Sequence, residues 1–178
     1  MKILTLPGYL GSDEEHWQSY WEQELDNISR VEQADWESPK LNVWLDALNT
    51  VIQNSDEPTI LVAHSLACSL VNHWANTYES NKVCGALFVA PADVDSAKHT
   101  PEIIRNFAPM PLNKLKFPSI VISSNNDPYV ALERAEFFAD AWGSQLLNVG
   151  ALGHINSESN LKSWEEGKRF LEELDYKS

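Results

Sequence analysis

The sequence predicts a three-layer α/β/α sandwich around a mainly parallel central sheet. Short apolar runs alternate along the chain with segments of helical period, as expected of a sheet covered by helices. The run Thr59–Ala63 is β-branched and apolar without alternation, as a strand buried on both faces should be. The 178 residues contain no internal repeat, low-complexity tract or long linker, which fits one domain over residues 1–178.

The elements follow in order. Ile3–Leu6 is a first strand, ended by Pro7-Gly8. Ser12 with Glu15 forms a capping-box pattern, and a helix to about Leu25 places Trp17, Trp21 and Leu25 on one buried face. Arg30–Ala34 is a short second strand, and Trp44, Leu45, Leu48, Val51 and Ile52 mark an amphipathic helix. Thr59–Ala63 is the central strand; from Leu66 the period turns helical through Leu70 and Trp74. Ala86–Val89 is the next strand. The stretch from Ala90 to Pro118 is irregular and carries Pro91, Pro101, Pro109, Pro111 and Pro118. Ser119–Ser123 and Gln145–Val149 are strands, while Val130–Trp142 and Leu161–Leu174 are helical.

Composition narrows the function classes. Hydrophobic residues make up 43% and charged residues 22%, the balance of a globular protein with a sizeable core. The net charge of −13 repels phosphate backbones and argues against a nucleic-acid partner; its plainest consequence is solubility. No run approaches the ~20 apolar residues of a membrane span, and the apolar start is too short for a signal-peptide core. Cys68 and Cys84 have no paired spacing that suggests a disulfide framework or a zinc site, and they read as small core residues. A cytoplasmic, reducing setting is the expectation.

The chemistry centres on Ala63-His64-Ser65-Leu66-Ala67. A serine at a strand-to-helix junction, with small residues two before and two after, suits a nucleophile lifted over a sheet on a sharp turn. Bulkier flanks would clash where strand and helix pass. Glycine usually fills them, so alanine at both makes this a degenerate form. In isolation a serine at a helix start reads first as an N-cap, and only its place after the most β-like run in the chain brings the two readings level. Two further strand exits supply partners. Ser119–Ser123 leads to Asn125-Asn126-Asp127-Pro128, and Gln145–Val149 to Gly150-Ala151-Leu152-Gly153-His154. Alone, the first is favourable turn chemistry and the second a solvated loop histidine. Jointly they give the order nucleophile, acid, base, each after a strand, which is the order of a Ser65-Asp127-His154 triad for acyl transfer.

The sequence resembles the small serine hydrolases of the α/β-hydrolase superfamily typified by retinoblastoma-binding protein 9 and the bacterial YdeN-like proteins. The resemblance spans nearly the whole chain. It is carried by Pro7-Gly8-Tyr9-Leu10-Gly11-Ser12 with His16-Trp17-Gln18, and by Gln33-Ala34-Asp35-Trp36 with Pro39 and Trp44. It continues through Ala63–Ala67, through Leu115 and Phe117-Pro118-Ser119 into Ser123, and through Asn126-Asp127-Pro128. Gly153-His154-Ile155-Asn156, with Trp164 and Gly167, is its most specific block. The resemblance implies a three-layer fold, the triad Ser65, Asp127 and His154, and no metal or organic cofactor. Ser159-Asn160 departs from the pattern where a glycine is expected nearby.

Further expectations attach to this reading. The backbone N–H groups of Leu66 and Tyr9 are candidate oxyanion donors, with Leu10 an alternative to Tyr9. His64, Trp17 and Leu10 are candidate pocket residues, and Asp93 and Asp95 are fallback acids. The short insert from Val89 to Ser119 predicts a fold without a large lid, open to small-molecule or short-peptide substrates. The rival reading is a protein-interaction module that keeps the fold with little catalysis; an intact triad argues against it.

Overall fold

The computed structural model describes residues 1–79 and 81–175. Six strands form one sheet: β1 (Lys2–Leu6), β2 (Ile28–Arg30), β3 (Thr59–His64), β4 (Val83–Val89), β5 (Ser119–Ser123) and β6 (Gln145–Asn148). Every pairing is parallel and the order is β2-β1-β3-β4-β5-β6. The helices are α1 (Trp17–Glu24), α2 (Leu41–Gln53), α3 (Leu66–Thr77), α4 (Leu132–Trp142) and α5 (Glu165–Asp175).

Strand periodicity sorts the core into two layers. Leu61 and Ala63 of β3 point to one face, where they join Trp44 and Leu48 of α2, Trp74 of α3 and Phe138 of α4. Ile60 and Val62 point to the other, where Trp17 and Trp21 of α1 and Leu171 and Leu174 of α5 cover them. All six residues of β3 are therefore buried, which explains its unbroken apolar run. Full burial of one such aliphatic side chain contributes about 1.5–3 kcal/mol. The segment from Ala90 to Pro118 adds a 3-10 helix, Glu102–Phe107, and no lid domain.

Strand order also fixes where a site can form. The chain leaves β1 for β2 on one side and then returns through α2 to β3 on the other. At such a switch point the connections diverge and a crevice opens at the carboxyl ends of the strands.

Several local expectations are corrected. The Ser12–Glu15 capping box does not form: the Ser12 hydroxyl donates to Gln18 Oε1 (2.7 Å), and the Glu15 N–H goes to Asp13 Oδ1 (3.0 Å). The α1 cap is His16, whose Nδ1 accepts the Gln18 N–H. Strand β2 is Ile28–Arg30 rather than 30–34, because Thr5 pairs with Arg30 at the end of the register. Strand β6 ends at Asn148, whose Oδ1 accepts the Gly150 N–H and starts the turn. Helix α4 begins at Leu132, after the turn carrying Asp127. Helix α5 begins at Glu165, not Leu161, because Lys162 (φ 49°) and Trp164 (φ 39°) take left-handed backbone that interrupts a helix.

Candidate active site

Ser65 follows β3 directly and has φ 56° and ψ −118°. This is rare backbone for a residue with a Cβ and has to be held by its surroundings. The Ser65 N–H donates to Val89 O (3.0 Å), and Ser65 O accepts from Cys68 N–H (3.1 Å) and Ala92 N–H (3.4 Å). The sequence allows the turn because Ala63 and Ala67 are small and wholly buried. Gly8 on the loop after β1 is needed as well. A Cβ there would lie 2.8 Å from Ser65 Cβ, so only glycine lets that loop lie against the serine turn. The Ser65 hydroxyl makes no capping bond, and the N-cap reading is set aside.

Its hydroxyl instead meets His154, with Oγ 2.8 Å from Nε2. His154 Nδ1 lies 2.9 Å from both carboxylate oxygens of Asp127. A carboxylate accepts, so Nδ1 carries the proton and Nε2 offers a lone pair to the serine O–H. All three side chains are buried. They come from the loops after β3, β5 and β6, which share one edge of the sheet.

The loops are braced against one another. The Leu152 N–H donates to Ser124 Oγ (2.9 Å) and the Gly153 N–H to Asn126 Oδ1 (2.8 Å), tying the histidine loop to the acid loop. The Tyr129 N–H donates to Asp127 Oδ1 (2.9 Å), and the Tyr129 ring sits 4.4 Å from that of His154. Asn160 has φ 49°, so an asparagine takes the left-handed position expected of a glycine.

The remaining candidates divide. His64 lines the cleft, and its Nε2–H donates to His154 O (2.9 Å). Burial holds the His64 pKa well below that of a free imidazole, His16 and His154 add to this, and the bond to His154 O opposes it. Leu10 lines the cleft and is 62% exposed. Trp17 is a correction. It is 1% exposed and lies behind the cleft against Trp21 and Trp164, its Nε1–H donating to Ile155 O (2.8 Å). It supports the histidine loop from within the core. Asp93 is engaged by Arg134 through Nε (3.0 Å) and Nη2 (3.2 Å), and Asp95 by Arg134 and Met110 N–H, so neither faces His154.

Two backbone donors flank Ser65. Leu66 opens α3, so its N–H has no partner within the helix. On the β1 loop, Leu10 N–H is taken by Trp36 O (3.0 Å) and Gly11 N–H by Gly8 O (3.0 Å), while Tyr9 N–H has no backbone partner among the described residues.

These groups face a cleft of about 320 Å³. Sequence reasoning did not assign to the site several of its lining residues, among them Asp13, His16, Tyr129, Ser157, Glu158, and Pro101 and Ile104 of the insert. Only His16 left a signal, standing at a helix start beyond the β1 edge loop. Among the described residues, a larger hollow of about 610 Å³ beside the end of α3 is lined by no serine, cysteine or histidine to act as nucleophile or base. Among the described residues, no cluster of His, Cys, Asp and Glu could hold a metal ion, and no helix is long and apolar enough to cross a membrane.

A family model described as serine hydrolase matches residues 3–173. A YdeN-like hydrolase from Pectobacterium atrosepticum is 31% identical, with 97% of this chain and 89% of that one aligned at a TM-score of 0.86. The ydeN gene product of B. subtilis is 17% identical over 98% of both chains at 0.78. Est1E from Butyrivibrio proteoclasticus, solved with ferulic acid bound, is 15% identical over 99% of this chain and 90% of that one at 0.74. The last two share the fold. A search of curated proteins gave no match.

Proposed function

The chain belongs to the serine hydrolase family, and from that premise we propose that it cleaves small carboxylic esters or amides through an acyl-enzyme on Ser65. The observation that carries the proposal is the unbroken series from Ser65 Oγ through His154 to Asp127, at 2.8 and 2.9 Å.

In this reading Ser65 Oγ attacks the carbonyl carbon while its proton passes to His154 Nε2. Asp127 keeps the Nδ1–H tautomer and stabilises the imidazolium that forms. The N–H groups of Leu66 and Tyr9 hold the tetrahedral oxygen; losing one such donor typically costs roughly 2.7–4 kcal/mol of transition-state stabilisation. The leaving alcohol or amine takes the proton from His154. Water then gives a proton to His154, attacks the acyl carbon and releases Ser65 with its proton restored. The small cleft, without a lid domain, favours small molecules or short peptides over long lipid chains. The free, buried thiol of Cys68 fits a reducing, cytoplasmic setting.

A fluorophosphonate probe tests the reading. Folded protein should be labelled and Ser65→Ala should not. Absence of labelling, or equal labelling of both, removes the proposal. Turnover of short p-nitrophenyl esters beside aminoacyl amides then separates esterase from amidase preference.

A further inference from the structure

Three imidazoles stand in a row along the cleft. His16 and His64 have ring centroids 4.7 Å apart, and His64 and His154 are 4.9 Å apart. Two of the rings are accounted for. His154 bridges Ser65 and Asp127, and His64 Nε2–H donates to His154 O. His16 is different. Its Nδ1 accepts the Gln18 N–H (3.2 Å), so the neutral ring carries its proton on Nε2. That Nε2 is buried and has no hydrogen-bond partner among the described residues. The residue is 3% exposed, yet it lines the cleft that contains Ser65.

A buried donor without an acceptor is costly, and such a group facing a cleft is placed to be completed by what the cleft binds. Asp13, whose charge acts on His16, has its Oδ1 taken by the Glu15 N–H and the Ser157 hydroxyl. Burial pushes the His16 pKa down to about 3, opposed by Asp13 and aided by Arg30 and His154. At neutral pH the ring is therefore an uncharged donor, suited to an oxygen acceptor.

We propose that His16 is a specificity-determining residue whose Nε2–H binds a second oxygen of the substrate, beyond the scissile carbonyl. The preferred substrates are then small esters or amides bearing a carbonyl, hydroxyl or ether oxygen near the reacting carbon, in place of plain alkyl acyl groups. A cleft of about 320 Å³ keeps the two oxygens within one small molecule. This inference rests on Ser65 as the nucleophile.

Isosteric ester pairs test it. p-Nitrophenyl methoxyacetate is paired with p-nitrophenyl butyrate, and p-nitrophenyl 4-oxopentanoate with p-nitrophenyl 4-methylpentanoate. The variant is His16→Asn, because asparagine keeps an N-cap oxygen for α1 and removes the imidazole donor. Intrinsic reactivity cancels when the ratio of kcat/KM within a pair is compared between wild type and variant. In at least one pair the preference for the oxygen-bearing ester should fall about tenfold, equivalent to about 1.4 kcal/mol. Ratios unchanged within twofold in both pairs overturn the role of His16 while leaving the hydrolase reading intact. Failure of wild type to react with fluorophosphonate removes that reading instead.

A second readout needs neither turnover nor a His16 variant. In Ser65→Ala protein, the His16 Nε2–H proton should move downfield in NMR spectra on adding methoxyacetamide or 4-oxopentanamide. It should not move with butyramide or 4-methylpentanamide. No displacement by either oxygen-bearing amide overturns the inference.

Discussion

Replacing Gly8 by alanine adds one methyl group to the loop after β1. That Cβ would stand 2.8 Å from Ser65 Cβ, 3.0 Å from His64 O and 3.2 Å from Leu66 N. Ordinary contact begins near 3.4 Å, so the loop and the serine turn must separate by roughly 0.6 Å. The atoms met are backbone or next to it, and no flexible side chain can swing aside. Ser65 is itself anchored through its N–H to Val89 O. A shift of that size on the serine side stretches the Oγ–Nε2 contact from 2.8 Å toward the limit of a useful hydrogen bond. A 1 Å misplacement can cost about 100-fold, so Gly8→Ala is expected to lower kcat/KM on p-nitrophenyl acetate roughly 10- to 100-fold. Overpacking should also cost about 1–3 kcal/mol, or about 2–12 °C in Tm. The control is Gly85→Ala in β4, where a Cβ meets nothing closer than 3.6 Å and both quantities should stay near wild type. A Gly8→Ala protein with kcat/KM within twofold of wild type and an unchanged Tm would refute the steric argument.

Asp127→Asn should lower kcat about 10³- to 10⁴-fold, because a neutral amide no longer fixes the Nδ1–H tautomer. Asp93→Asn should leave kcat within about threefold and lower stability by about 1–3 kcal/mol through the loss of its pair with the half-exposed Arg134; steady-state kinetics and urea unfolding of the two variants separate the roles. Stability should also fall with acid. Above about pH 6.5, His16 and His64 are neutral in both states; below it the unfolded chain takes up protons that the folded rings refuse. With His16 at about 3, its share of the loss is about 2 kcal/mol at pH 5, and His64 adds in the same direction. Urea unfolding should therefore find His16→Asn gaining about 2 kcal/mol relative to wild type between pH 7 and pH 5; a constant difference contradicts the neutral, buried ring.

What the sequence made legible has a physical pattern. Strand β3 was readable because both of its faces are buried, so the four residues Ile60–Ala63 run apolar without alternation. Ser65, Asp127 and His154 were readable because each follows a strand closely, and a parallel sheet brings strand ends to one edge. The failed Ser12–Glu15 cap and the late start of α5 have local causes, while other misreadings turn on contacts between segments far apart in the chain. Strand β2 is three residues long, and its position is set by pairing with β1 and not by its own composition. Trp17 lay at the right place in sequence to border the cleft, but its indole turns inward to Ile155 O, 138 residues away. The choice between Tyr9 and Leu10 depended on a backbone bond from Leu10 to Trp36 O, which side-chain identity does not encode. His16 escaped notice as a site residue because histidine is not a favoured cap, and the cap is what aims its other nitrogen.

The central claim is that Ser65 becomes acylated with His154 as its base. Rapid quenching of the protein with p-nitrophenyl acetate, followed by peptide mass spectrometry, tests it most directly. A burst of p-nitrophenol should be matched by acetyl mass on the peptide containing Ser65, with no such adduct in His154→Ala at the same quench time. An acetyl group on another residue, or hydrolysis with Ser65 replaced by alanine at the wild-type rate, would contradict it.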